Sequence, residues 1–389
     1  MSDIKGKSFV IVKHTYFESL GTPEAELVRF LGGQASSIQY IRHPFPDADK
    51  IPLNTTIVEY GSDGELAREI KAPLFRGHSV LFYIKDFIFS IYYVFKSGCK
   101  DIYIGADNLN ALAGIALRFL GRVRYVVFYV IDFTPARFKN KLLNTIYQFI
   151  NKICCYHADM IWNVSDSMIE GRESIGISRD LSAPQVTVPL GCAFDEILRK
   201  DISDINRYDI VYFGSLRKEH GPGLIIEALP AIIEKEPRFR VVFAGDGELR
   251  EKLVKRSEEL GVSSHVQFAG FIDSGEEVYK LLTSCGLALA TYPSEGSTYK
   301  LYSDPGKVKI YLACGLPILI TDVPPIAKTL QERGAGKIVE HNPMSLARAV
   351  NAIGMDYNGY KLMREQAIVL AAEFDWEVIW RRTFASMDL

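Results

Sequence analysis

Short apolar or β-branched runs alternate along this chain with longer segments whose apolar residues recur every three or four positions. Residues 9–13 (FVIVK), 37–41, 56–60, 101–104, 125–131 and 160–164 read as strands, and residues 23–31, 79–97, 108–120 and 140–155 carry helical spacing. This alternation predicts a parallel sheet covered by helices on both faces. Residues 186–195 and the charged, poorly periodic residues 196–208 look like a domain crossing, after which the pattern restarts. Strands are predicted at 209–213, 240–244, 266–269, 287–291 and 317–320, with helices at 223–235, 248–260 and 276–285. The expected fold is α/β, with two Rossmann-like, doubly wound domains facing across a cleft at the carboxyl ends of their sheets. Such a cleft suits two substrates. The expected domains are 1–195 and 196–365, with a helical tail, 366–389, packing back on the first domain. Trp376 and Trp380 in that tail are four apart and share a helix face.

The chain is organised around residues 290–325. An apolar run meets a long Gly/Ser/Tyr loop, then Asp304 and Pro305 open a short helix that Gly315 closes. Asp at the cap, Pro in the first turn and Gly beyond the end are helix start and stop signals. The helix N-terminus points back to the loop edge of the sheet, with Lys307 in its first turn. A cation there is unfavourable for the helix alone and fits an anion between the two, most simply a phosphate. The alternative is a solvated surface lysine.

Composition narrows the partners. With 389 residues, 48% of them hydrophobic, the chain needs two cores. A formal net charge of −2 gives no global field for nucleic acid. Six cysteines include the adjacent Cys154 and Cys155 but no C-x-x-C pair, so reduced thiols in a cytoplasmic protein are the expectation. No apolar run reaches the ~18 residues of a membrane-spanning helix. Residues 79–97, which Lys85 and Asp86 interrupt, are either a buried amphipathic helix or an element resting on a membrane surface. The basic, aromatic residues 137–152 (RFKNKLLNTIYQFINK) support the interfacial alternative.

Three loops of the second half follow strands and carry ligand-compatible residues. The first, 213–223 (FGSLRKEHGPG), has Gly214 and Gly221 for close backbone approach and Arg217, Lys218 and His220 for charge. The second holds Gly245 and Gly247 directly before a helix, and the third carries Lys307. The ordered set G-S-L-R-K-E-H-G, G-D-G, F-A-G-F and K-V-K-I-Y-L-A-C-G-L-P, over residues 209–322, resembles the glycosyltransferase family 4 (group 1) enzymes of the GT-B fold. The resemblance implies a retaining transferase that takes a sugar from a nucleoside diphosphate held on the second domain. It implies base recognition by backbone near Gly270 and Phe271. The diphosphate is expected against the first loop and the helix opened by Asp304, where Gly306 and Val308 flank Lys307. No metal or other cofactor is expected, because cationic side chains and helix dipoles replace it.

Some positions depart from the family's pattern. Ser215 and His220 stand where it usually carries Arg and Lys, and Ile310 and Tyr302 stand where its paired glutamates fall. Isoleucine cannot accept ribose hydroxyl bonds, which leaves Glu295 or a backbone group for that task. In the first domain a strand runs into Asp132, followed by Arg137. Asp132 is the candidate to bind or deprotonate an acceptor hydroxyl, with His14, Gly21 and Arg137 as acceptor-binding candidates. Asp107 and Asn108 form another loop-edge pair or a plain helix cap. Lys307 and Arg217 are the candidates to stabilise the departing phosphate. The expected partners are a nucleotide-sugar donor and a glycan or lipid-linked acceptor, with peripheral contact on the inner face of a membrane. A catalytically silent nucleotide-binding subunit of the same fold is the alternative, and a sugar-nucleotide epimerase a more distant one.

Overall fold

The computed structural model describes residues 4–16, 21–48, 51–75, 77, 79–294 and 298–387. The chain divides into two compact units, Met1–Pro189 with Trp376–Leu389, and Leu190–Asp375. The division falls between Pro189 and Leu190, inside the segment 186–195.

Unit 1 contains, in order, β1 (Ser8–Thr15), α1 (Pro23–Leu31), β2 (Ser37–Pro44), β3 (Thr56–Tyr60), β4 (Leu66–Lys71), α2 (Ser79–Lys96) and β5 (Lys100–Ala106). It continues with α3 (Asn108–Phe119), β6 (Val123–Val130), α4 (Lys141–His157), β7 (Met160–Asn163), α5 (Ser167–Glu173) and β8 (Gln185–Thr187). One sheet runs β4-β3-β2-β1-β5-β6-β7-β8. Its centre is β1, whose Phe9–Val12 are fully buried and whose Val10 lies between Gln39 of β2 and Tyr103 of β5. The sheet is not wholly parallel, because β2–β3 and β3–β4 are antiparallel. β4 (LAREIK) is exposed along most of its length and has no apolar run to betray it. Pairing with β3, which sets Arg68 beside Glu59, holds it as an edge strand.

Unit 2 contains β9 (Asn206–Phe213), α6 (Gly223–Lys235), β10 (Arg240–Ala244), α7 (Arg250–Glu259), β11 (Val266–Gly270), α8 (Gly275–Leu282) and β12 (Cys285–Ala290). There follow α9 (Gly306–Ala313), β13 (Ile318–Thr321), α10 (Ile326–Glu332), β14 (Gly336–Val339), α11 (Pro343–Met355) and α12 (Tyr357–Ala372). The sheet order is β11-β10-β9-β12-β13-β14, and every pair is parallel. Alternation along β9 sends Ile210 and Tyr212 into the core on one face and Val211 into the core on the other. Winding reverses between β9 and β12, the place where a doubly wound sheet opens a crevice at its carboxyl edge.

The last helix, α13 (Trp376–Ala385), belongs to unit 1. Trp380 is fully buried against Trp162 at 5.9 Å and stacks on Trp376 at 5.6 Å, so the shared face expected of the two tryptophans is real. Phe384 meets Phe9 and Phe30. The returning tail thus begins at Trp376, while residues 366–375 stay in unit 2, where Leu370 and Ala371 are core. Trp380→Ala is expected to cost about 3–5 kcal/mol of stability through the cavity it leaves. Urea unfolding followed by circular dichroism checks this.

Candidate functional site

The crevice of unit 2 is built by backbone before any side chain enters it. Gly214 (φ 122°), Gly245 (φ 145°) and Gly247 (φ 159°) follow β9 and β10 with backbone that other residues rarely adopt. Gly214 N–H donates to Ala244 O at 2.9 Å, and Gly245 N–H donates to Gly270 O at 2.7 Å. Three successive strand ends are so tied into one glycine-lined edge. Ser215 accepts the Tyr212 hydroxyl proton through its carbonyl at 2.9 Å. Gly270 has a positive φ of 75°, and the neighbouring Phe271 is exposed.

α9 is delivered to this edge by Tyr311. Fully buried, its hydroxyl oxygen accepts Phe213 N–H at 2.6 Å, locking the helix to the end of β9. The helix opens at Gly306 with Pro305 as its cap, so Asp304 is not the N-cap expected from the sequence. Its carboxylate accepts Leu190 N–H at 2.8 Å and pairs with the buried Lys309. That buried ammonium, one turn on, needs a counter-charge, and Asp304 is spent on it. Val308 is likewise core, and its amide donates to Pro305 O at 3.0 Å. Ile310 packs against the same core, leaving no carboxylate on that face of the helix. Glu295 lies outside the described residues.

Lys307 is the side chain that reaches the glycines. Its Nζ is buried without a hydrogen-bond partner among the described residues. It rests over the rings of Tyr212 (4.3 Å) and Tyr292 (4.9 Å). A Cβ placed on Gly214 would lie 3.9 Å from it. Burial, and secondly the nearby Lys300, pull the ammonium down to about 7. His220 is held down to about 3 by burial and by Lys300, Lys307 and Arg217. Neutral at pH 7, it is a hydrogen-bonding group and not the cation its place in the loop suggests. Arg217 and Lys218 are exposed at the rim. Sequence reasoning missed Lys300, which is buried with its Nζ 5.2 Å from the Tyr292 ring. No periodicity marks it, and only the fold gathers it with Lys307 and His220.

An excess of positive charge, one ammonium lacking a partner, a helix N-terminus and four glycines make a receptor for a compact anion such as a diphosphate. An anion beside Lys307 favours its charged form, so binding should take up a proton above the unliganded value. Affinity for a nucleoside diphosphate is then expected to be full below pH 7 and to fall by up to about tenfold per unit above it. Titration calorimetry at pH 8 in buffers of different ionisation enthalpy should show net proton uptake.

A second polar cluster occupies the carboxyl ends of β1, β2, β5 and β6 in unit 1. His14 Nε2 lies 3.2 Å from Asp86 Oδ2, and its Nδ1 lies 3.1 Å from Asn110 Nδ2. An amide nitrogen only donates, so Nδ1 accepts and Nε2 carries the proton to Asp86. Both ring nitrogens are spent, and the ring packs against His43, Phe45 and Tyr83 where a hydrogen-bonding group for the acceptor was expected. His43, fully buried between Thr55 and Ser90, is drawn down to about 4 by burial despite its bond to Asp86. Burial alone would raise Asp86, but hydrogen bonds from the two histidines outweigh it and hold the carboxyl far below its usual range.

The open part of this edge holds Asp107, Asp132 and Arg137. Asp132 and Arg137 are exposed, and Arg137 N–H is capped by Asn144 Oδ1 at 2.8 Å. Asp107 has φ 71° and ψ 167°, costly for a residue with a side chain, and makes no cap bond to α3. Burial, then Asp132, raise its carboxyl to about 6. A strained, half-buried carboxyl facing another one is a stronger functional signal than the helix cap the sequence allowed. Gly21 is exposed with φ 87°.

Residues 194–369 match the family model described as glycosyl transferases group 1. That span is almost the whole of unit 2 and holds the loops described for it, those of Gly214, Gly245, Gly270 and Lys307. Among curated relatives, a GDP-mannose-dependent alpha-(1-6)-phosphatidylinositol dimannoside mannosyltransferase of Mycobacterium tuberculosis is 28% identical over 176 residues, 43% of each chain. This chain thus spans under half the length of that relative. Among solved structures, Anabaena HepE in complex with UDP superposes with a TM-score of 0.70 at 16% identity, over 98% of this chain and 100% of that one. Sucrose-phosphate synthase from Thermosynechococcus elongatus gives the same score, identity and coverage. The fold is the GT-B fold of such glycosyltransferases.

Proposed function

We propose that the protein is a retaining glycosyltransferase that moves a sugar from a nucleoside-diphosphate sugar to a glycan or lipid-linked acceptor. The carrying observation is the buried, unpartnered Lys307 ammonium beside Gly214 at the start of α9. In this reading the diphosphate lies between the Gly214, Gly245 and Gly247 backbone and α9, with Lys307, Lys300 and Arg217 countering its charge. His220 and Ser215 donate hydrogen bonds, and the base lies along the backbone at Gly270 and Phe271. The bond from the anomeric carbon to the phosphate oxygen breaks, and its electron pair stays on the diphosphate. The acceptor oxygen bonds to that carbon on the same face and passes its proton to the departing phosphate. Asp107 and Asp132 orient the acceptor hydroxyl, with Arg137 and Gly21 beside it. A metal-free reaction fits this cationic set, and chelation by EDTA should leave turnover unchanged.

Support for a lipid-linked acceptor comes from the phosphatidylinositol dimannoside named in the mycobacterial relative and from the exposed apolar helices of unit 1. That relative's name carries GDP, whereas HepE was solved with UDP, so the base is decided by experiment. Thermal unfolding with UDP, GDP and ADP and their sugar conjugates tests the reading. One base should raise the midpoint by a few degrees, since ligand at 100 times its dissociation constant adds about 2.7 kcal/mol. No shift with any of them overturns it.

The neutral His220 and the core-packed Ile310 favour a second reading, a nucleotide-binding subunit without turnover. Slow hydrolysis of the donor in the absence of acceptor excludes it; binding without any turnover establishes it.

A further inference from the structure

Two helices of unit 1 are built inside out. On α4 the polar residues face the protein: Asn144 Oδ1 caps Arg137 and Phe138 N–H, Asn144 Nδ2 donates to Pro135 O, and Gln148 Nε2 donates to Thr134 O. Asn151, one turn further, is buried. The apolar residues Leu142, Ile146 and Phe149 are left on the outer face, with Leu142 69% and Phe149 62% exposed. α2 repeats the arrangement. It turns Lys85, Asp86 and Ser90 inward and leaves Leu81, Ile84, Ile88 and Phe95 in water. α3 packs against both helices, so the two stripes flank it on one side of the sheet.

Exposed apolar stripes on two neighbouring helices demand a partner. Charge decides which kind. No acidic residue occurs from Phe133 to Ala158, and from Ala72 to Lys100 only the buried Asp86 does. Basic heads stand beside aromatic rings along the margin, Arg122 at 3.8 Å from Phe95 and Lys96 at 5.0 Å from Tyr92. Lys139, Lys141 and Lys152 are exposed beside the α4 stripe. Among the described residues no helix is long and apolar enough to cross a membrane.

We propose that the α2–α4 face of unit 1 is a docking surface for a bilayer rich in anionic phospholipid. The apolar stripes enter the boundary between headgroups and acyl chains, and the flanking lysines and arginines meet the lipid phosphates. The docking face rests on the lipid-linked acceptor reading for its purpose and on unit 1 alone for its geometry.

Co-sedimentation of the full chain with phosphatidylcholine vesicles, with and without phosphatidylglycerol, tests it. The wild type should bind the anionic vesicles at low salt and far less well the neutral ones. Ile146→Glu with Phe149→Glu, Ile84→Glu with Ile88→Glu, and Lys141→Glu with Lys152→Glu should each weaken binding about tenfold or more. Each variant's melting midpoint, and its response to the donor nucleotide, should match the wild type, which separates a lost docking face from a lost fold or donor site. A Phe149→Trp variant should be quenched by brominated lipid. Absence of vesicle binding by the wild type, or unchanged binding by the variants, overturns the docking surface. So does a dimer in analytical ultracentrifugation that Ile146→Glu with Phe149→Glu dissolves while vesicle binding is unchanged, because the stripe then joins two copies of the chain.

Discussion

Lys307→Ala is expected to lower donor turnover by about 10²–10³-fold, the usual effect of removing one preorganised group that meets charge as it develops. The ammonium waits in a buried site where, among the described residues, two tyrosine rings hold it and Lys300 opposes it. Nothing else described compensates its charge until an anion arrives. Stability tells this apart from a structural role. Because the folded value, about 7, lies below that of a free lysine, the unfolded chain binds more protons between the two. Wild-type stability should therefore rise with pH from about 7 upward, and Lys307→Met should flatten that rise. The same variant should melt no lower than the wild type at neutral pH while losing the nucleotide-induced shift. A stabilised variant that still turns donor over would remove Lys307 from the mechanism. Single-turnover assays and calorimetry across pH provide both readings.

Gly245→Ala should be nearly as damaging for a different reason. A methyl group there runs into the Gly214 carbonyl, 2.8 Å from its carbon, and the residue must keep φ near 145°. Strain of about 1–3 kcal/mol follows. The loop can relieve it only by moving Gly214, against which Lys307 is seated. A shift of about 1 Å between reacting groups costs roughly 10²-fold, so kcat/KM should fall by that order while the fold survives. Near-normal activity would show that the glycine edge does not contact the donor. Stopped donor-hydrolysis assays paired with thermal melts separate the two effects.

Much of the fold was legible because it rests on local pattern. Residues 9–13, 209–213 and 240–244 are short apolar runs with turn chemistry after them, and such runs become buried central strands whatever surrounds them. The helix expected over residues 23–31 carries its own start signal and is α1 to the residue. By contrast β4 has no apolar face, and a cross-strand partner alone makes it a strand. Asp304 shows the same limit. Asp-Pro is a helix-start signal in sequence, yet the fold buries Lys309 one turn away and takes the carboxylate for it.

By itself the sequence determined two doubly wound halves, a glycine-lined edge in the second, and Lys307 at the head of a short helix beside it. Hydrophobic period, turn residues and capping chemistry are all local, so they survive without knowledge of neighbours. Only the tertiary structure decided the electrostatics. It brought Lys300 and His220 to Lys307, closed both nitrogens of His14 with Asp86 and Asn110, strained Asp107 beside Asp132, and turned the polar sides of α2 and α4 inward. Charge, burial and hydrogen-bond saturation depend on residues tens to hundreds of positions apart, and no spacing along the chain encodes them.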